Sequence, residues 1–106
     1  MNYVVSTIWK HPADLDKARM REVQSQWRDN ANLVNIYWFE IDSRTHGSVS
    51  IFTSKAAFEA NLARQEEHRS KSTSENGITM THEAQGECFA IPVSYTHLTL
   101  PTNREV

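Results

Sequence analysis

The sequence predicts an α+β fold of the ferredoxin-like kind: βαββαβ, a four-stranded antiparallel sheet with two helices on one face. Two observations carry this expectation. Segments rich in β-branched and aromatic residues alternate with two stretches of helical character, in the order β-α-β-β-α-β. The second and third strand segments follow one another across a short polar connection, which joins two β-α-β halves into the split βαβ.

The first strand is Tyr3 to Trp9, Tyr-Val-Val-Ser-Thr-Ile-Trp. His11-Pro12-Ala13-Asp14 breaks it, and Asp14 is placed to cap the helix that follows. From Leu15 to Arg28 there is no Gly or Pro, and Leu15, Ala18, Val23 and Trp27 form a loose apolar stripe beside Met20. Asp29 to Asn32 reads as a turn. The most strongly patterned strand runs from Leu33 to Ile41. Asp42 to Gly47 is a hairpin-like connection, and Ser48 to Thr53 alternates as a third strand. Ser54 caps a second helix from Lys55 to about Arg69, with Phe58, Leu62 and Gln65 on one side. Lys71 to Gly77 is polar and Ser-rich, a loop. Ile78 to Ile91 is a fourth strand, bulged at Gly86.

Composition bounds the function. The chain has 106 residues, 39% hydrophobic and 23% charged, with 11 basic against 13 acidic residues, so one soluble domain is expected. A net charge of -2 argues against a nucleic-acid binder. No apolar run approaches the length of a membrane span, and no secretory leader is visible, so the expected compartment is the cytoplasm. The single cysteine, Cys88, excludes a disulfide framework and is read as a small core residue. The His residues show neither HxH nor HExxH spacing, so no metal is expected. Gly-rich phosphate loops are absent, and Ser6, Ser48 and Ser50 lack the setting of an activated nucleophile. The open sheet face, carrying Val34, Ile36 and Trp38 or their alternates, is too apolar to stay wet, which predicts a homodimer through the sheet faces.

Residues 93–102, Val-Ser-Tyr-Thr-His-Leu-Thr-Leu-Pro-Thr, resemble translated sequencing-adapter DNA. The expected division is therefore a domain over 1–91 and a non-native tail over 92–106. On this reading the natural chain continued past Ile91, and Tyr95 and His97 are not site candidates.

Ser48-Val49-Ser50-Ile51-Phe52-Thr53-Ser54-Lys55-Ala56-Ala57-Phe58-Glu59-Ala60-Asn61-Leu62 is similar to the core motif of the antibiotic biosynthesis monooxygenase-like domain. The element order of 1–91 matches that family throughout. The resemblance implies a dimeric α/β barrel. It also implies oxygenation of a small aromatic or quinone-like molecule with no cofactor, in a dry aromatic pocket that stabilises an ionised phenol or enolate. Family members often carry Trp where this chain has Phe52 and His where it has Asn61. Both losses also suit a non-catalytic dimeric small-molecule-binding or stress-associated protein of the same fold. The haem-degrading branch places a catalytic Trp near Asn61 and its ligand His near Lys71. Neither residue type stands there, although His68 lies about one turn away.

The candidate catalytic residues are His68 and Asn35, and the candidate substrate-binding residues are Trp38, Tyr37, Phe52, Phe58 and Asn61. His68 follows Glu66 and Glu67, which would raise its basicity and suit a general base. The competing reading of Gln-Glu-Glu-His-Arg is a solvated helix face. Trp38 lines a pocket or fills a dimer core, and Asn35 faces either the helices or the barrel. His82 is read as inward and structural, His11 as exposed at the helix entrance.

Overall fold

A computed structural model describes residues 1–92, so the adapter-like stretch 93–102, with Tyr95 and His97, lies outside the described residues. The elements are β1 (Tyr3–Lys10), α1 (Lys17–Gln24) with a 3-10 turn (Ser25–Trp27), β2 (Leu33–Asp42), β3 (Thr45–Phe52), α2 (Lys55–Ala60), α3 (Leu62–Asn76) and β4 (Thr79–Glu87). The strands form one antiparallel sheet in the order β2-β3-β1-β4, with the helices on it. This is the expected ferredoxin-like α+β fold.

Alternation along β1 sets the two faces. Tyr3, Val5, Thr7 and Trp9 are buried toward the helices. Their partners on β3 are Phe52, Ser50, Ser48 and His46, and these look the same way. At one end of this face Tyr3, Val5, Phe52, Ala57 and Phe58 make the hydrophobic core, with Leu33 against it. The Phe58 ring lies 5.1 Å from Tyr3 and 5.4 Å from Phe52, centroid to centroid. The opposite face carries Val4 and Ile8 of β1 and Val49 and Ile51 of β3, all partly buried, beside exposed Tyr37 and Phe39 of β2.

Several boundaries differ from those expected, each for a local reason. Residues between β1 and α1 are tied to the β2–β3 hairpin, with His11 N–H donating to the Arg44 carbonyl and Leu15 N–H to that of Ser43. The helix therefore starts later, capped by Asp16, whose carboxylate accepts from Arg19 N–H at 3.1 Å. The hairpin turn is only Ser43 and Arg44, with the Asp42 carboxylate accepting from Arg44 N–H, so Thr45, His46 and Gly47 belong to β3. The second helix is interrupted at Asn61, and its continuation runs through the Ser-rich stretch taken for a loop. Ser74 donates back to the Ser70 carbonyl there, and the Thr73 hydroxyl donates to the Ile78 carbonyl just beyond the helix end. β4 ends at Glu87, and its irregularity lies opposite Ile8 and Trp9 rather than at Gly86, which pairs with Val4. Cys88 is half-buried outside the core, its thiol directed at the Ala90 carbonyl. No helix among the described residues is long and apolar enough to cross a membrane.

Gly77 ends α3 in the left-handed conformation (φ 68°), and a Cβ there would make only ordinary contact with Pro12. Gly77→Ala is therefore expected to destabilise through its backbone alone, by about 1–2 kcal/mol. A lowered urea midpoint with an unchanged slope would show it; an unchanged midpoint would refute it.

Candidate functional site

Beyond the aromatic core, the helix-facing side of the sheet opens into a cleft of about 680 Å³. The cleft exists because neither α1 nor α3 buries a single residue completely, so both helices stand off the strands they cover. Its floor is Trp9 of β1, Ile36 and Trp38 of β2, and His46, Ser48 and Ser50 of β3, closed at the core end by Phe52. Trp27, on the 3-10 turn, and Gln65 and His68 of α3 form the roof. The rim carries His11, Arg19, Arg69 and Lys71 with the acidic Asp14, Asp16 and Glu75.

Aromatic rings organise the interior. Trp38 stands between two histidines, its ring centroid 5.6 Å from His46 and 6.4 Å from His68. His68 meets Trp27 edge-on at 5.6 Å. Trp27 is held from behind by Arg64, whose guanidinium lies 4.4 Å over the ring and donates to the Gln26 carbonyl. His46 lies parallel to Trp9 at 6.5 Å, and the Trp9 N–H is engaged by the Thr7 hydroxyl at 2.8 Å. The Nδ1 atom of His46 is 2.7 Å from Nε2 of His11. Gln65 presents a buried amide nitrogen with no hydrogen-bond partner among the described residues.

Burial dominates the electrostatics. It pushes His46 down to about 4, with smaller contributions from the positive forms of His11 and His68. His68 is lowered first by burial and then by the cationic Arg69 and Lys71, and His11 is lowered by burial. All three rings are therefore neutral at pH 7, and each offers one donor and one acceptor. The cleft is a set of neutral hydrogen-bonding groups between aromatic walls. It suits a flat, largely apolar ligand carrying one or two oxygens.

The structure sorts the expected site residues. His68, Trp38 and Phe52 line the cleft together. His68 is half-buried rather than a solvated face, and its basicity is lowered, because burial and two cations outweigh the adjacent glutamates. Trp38, like Ile36, faces the helices rather than the open sheet face. Asn35 does not join them. A register shift between Leu33 and Asn35 turns it to the open face, where its amide donates to the Tyr37 hydroxyl at 3.1 Å. Tyr37 is on that face too, half exposed. Phe58 belongs to the hydrophobic core. Asn61 is buried at the helix break, donating to the Ala57 carbonyl and accepting from the Asn30 side chain at 2.7 Å, so its amide is committed to structure. His82 is exposed opposite Ile8, outward rather than inward. His11 is half-buried rather than exposed.

His46 is absent from the expected site because it falls within the hairpin-like connection expected over Asp42 to Gly47. A signal was present: Thr45 to Phe52 continues one alternating strand, and His46 falls on the same side as Ser48, Ser50 and Phe52.

No protein-family model matches the chain, and no curated protein is significantly similar to it in sequence. Solved structures are similar to it in fold. SnoaB, a cofactor-independent oxygenase from Streptomyces nogalater, superposes with a TM-score of 0.67 at 7% identity, over 86% of this chain and 96% of its own. The monooxygenase ActVA-Orf6 of Streptomyces coelicolor, in complex with nanaomycin D, does so with a TM-score of 0.57 at 14% identity, over 86% and 92%. NE2512, a protein of unknown function from Nitrosomonas europaea, gives 0.53 at 9% identity, over 87% and 96%. The fold is thus that of the antibiotic biosynthesis monooxygenases, and identities this low speak for fold alone.

Folded His46 takes up a proton near pH 4, against 6.5 for the ordinary ring. As pH falls below 6.5 the unfolded chain is protonated first, so stability present above 6.5 is lost progressively down to about 4. After allowing for residual contact with water the loss should be roughly 2 kcal/mol. His46→Gln should flatten most of this dependence in urea titrations across that range; an equally steep profile in the variant would show that His46 is not its source.

Proposed function

We propose that this chain, built on the fold of the antibiotic biosynthesis monooxygenases, oxygenates a planar phenolic or quinone-like small molecule without metal or flavin, and does so as a homodimer. The observation that carries the reading is the Trp38 ring set between two neutral histidines in a half-enclosed cleft.

The chemistry follows from those groups. A flat ring packs on Trp38 with its oxygen within reach of His46 or His68. A low-dielectric wall strengthens any hydrogen bond to the oxyanion that forms when the phenolic or enolic proton leaves. The electron-rich anion transfers one electron to O₂, and the resulting radical and superoxide combine into a C–O bond. The peroxide so formed takes up a proton and loses water, leaving a carbonyl where the ring carried CH₂. Dioxygen accepts four electrons in all, every one from the substrate, so no external reductant is needed. His68 and His46 are the proposed catalytic residues, with Trp38, Trp27 and Phe52 binding the ring.

The homodimer is supported by the open face of the sheet. Tyr37 and Phe39 are about half exposed there (53% and 50%) beside Val4, Ile8, Val49 and Ile51. Gly47 lies under the Phe39 ring with no room for a Cβ, so the ring lies flat against the strand and the face stays smooth enough for a second sheet.

Anthrone tests the activity, because its oxidation to anthraquinone consumes O₂ and changes its absorption. The wild-type chain should exceed the buffer blank, with His68→Ala and Trp38→Ala each slower by about tenfold or more. Tight binding of anthrone with no O₂ uptake would replace this reading with the non-catalytic binding protein. The quaternary proposal has its own measurement. Sedimentation equilibrium should give a dimer for the wild type and a monomer for the Tyr37→Glu, Phe39→Glu double variant; a monomeric wild type would sink it.

A further inference from the structure

The proposed reaction poses a difficulty for the base. A histidine kept neutral by burial gives a phenolic proton back far more readily than it takes it. The cleft must therefore hand that proton on. The His11–His46 pair has the geometry for this.

We propose that His46 and His11 form a proton relay that connects the interior of the cleft with solvent. The inference rests on the phenolic reading of the same site. At 2.7 Å, Nδ1 of His46 and Nε2 of His11 are too close for anything but a shared proton. His46 is almost fully buried, 7% exposed, at the floor of the cleft, whereas His11 is half-buried at its rim. The pair therefore runs from inside to outside. Its geometry is held from both ends. Trp9 lies parallel to the His46 ring, and its own N–H is taken by Thr7, so it does not compete for a ring nitrogen. The His11 backbone donates to the Arg44 carbonyl at 2.8 Å, and Pro12 follows it. With Nδ1 committed to His11, Nε2 is the nitrogen that His46 offers to a ligand.

Two neutral rings in this arrangement have two states. If His46 donates from Nδ1, His11 accepts at Nε2 and carries its proton on Nδ1. If His11 donates from Nε2, His46 accepts at Nδ1 and carries its proton on Nε2. Both rings thus share one tautomer, δ with δ or ε with ε. In the first state the ligand O–H bond breaks and an N–H bond forms at His46 Nε2. The His46 Nδ1 proton moves to His11 Nε2, and the His11 Nδ1 proton leaves to water. The pair is neutral before and after. It ends in the second state, with Nε2–H of His46 facing the ligand. That proton then serves the peroxide anion formed on oxygenation, and uptake of a proton from water at His11 Nδ1 restores the start. His46 touches the substrate in this scheme; His11 acts through it and is a positioning residue.

The test begins without any ligand. Two-bond proton–nitrogen correlation spectra of the full chain at neutral pH should show His11 and His46 in the same tautomer. His11→Gln, which keeps a hydrogen-bonding amide near Nδ1 of His46 but cannot pass a proton through, should change the His46 tautomer population. One ring in the δ form with the other in the ε form overturns the relay. Alizarin, a planar hydroxyanthraquinone whose ionisation is visible, supplies the second arm. In stopped-flow mixing at saturating alizarin, His11→Gln should slow ionisation of the bound dye by about tenfold or more. Ionisation as fast as in the wild type overturns the relay. If alizarin does not bind, the phenolic ligand class fails, and the tautomer measurement alone decides whether the pair is coupled as described.

Discussion

The packing of Phe58 onto Phe52 and Tyr3 is the contact on which the rest of the structure depends. Each of these rings is at most 6% exposed, and burial of one such side chain is worth about 1.5–3 kcal/mol, with a further contribution from ring-on-ring geometry. The contact clamps the six-residue α2 to one end of the sheet. The helix then breaks at Asn61, whose side chain ties the break to Ala57 and to Asn30 ahead of β2. What continues is α3, anchored at its start and capped by Gly77 at its end, with no residue fully buried between. The hydrophobic core is thereby confined to one half of the helix-facing side. The other half is left as space, and the three histidines of the candidate site stand around it.

That division explains the electrostatics of the cleft. A histidine at the packed end would need a protein partner for each polar ring atom or would cost several kcal/mol. At the open end His46 and His68 are desolvated by tryptophans on one side and retain access to the cavity on the other. Their charged forms are disfavoured, yet a ligand can still reach a ring nitrogen. The rim works in the opposite sense. Arg69 is paired with Glu83 at 3.1 Å, and with Lys71 it places positive charge near His68. A developing anion within the cleft would feel those cations across a medium of lower dielectric than water. Elsewhere the rim is of mixed charge, with Arg19 and Lys71 offset by Asp14, Asp16 and Glu75, so the neutral interior donors are the feature that bears on the proposed ligand.

The fold was legible in the sequence because it is written in patterns of many residues. The period-two alternation of β1 and the length of β2 survive errors of one or two positions at their ends. The site was legible only in part because it depends on those same ends. A two-residue turn at Ser43 and Arg44, instead of a six-residue connection, converts His46 from a loop residue to the floor of the cleft. A single register shift near Leu33 places Asn35 and Tyr37 on the open face while Ile36 and Trp38 look inward. A bulge reverses the face of every side chain beyond it, and nothing in Leu33-Val34-Asn35 announces one. His68 was legible as a histidine following Glu66 and Glu67 on the second helix. Its lowered basicity was not foreseen, since adjacent glutamates on a helix point away from it while Trp27, distant in sequence, lies against it.

Most of the motif-like segment Ser48–Leu62 builds architecture, while most of the groups around the cleft lie outside it; Ser48, Ser50 and Phe52 belong to both. Ser54 caps α2, Ala57 and Phe58 build the core, and Asn61 sutures the helix break. These motif positions specify the architecture that puts a cleft between sheet and helices, and they would do so for any occupant. Apart from Phe52, the groups that would meet a ligand come from elsewhere: His11 beyond the end of β1, Trp27 on the 3-10 turn, Trp38 on β2, His46 at the start of β3 and His68 midway along α3. At 7–14% identity to its structural neighbours, this chain can keep the architecture and differ at every one of those positions. On the reading proposed above, specificity would rest on His11, His46 and His68 with Trp27 and Trp38, and the same sheet with a different set around the cleft would be a different protein.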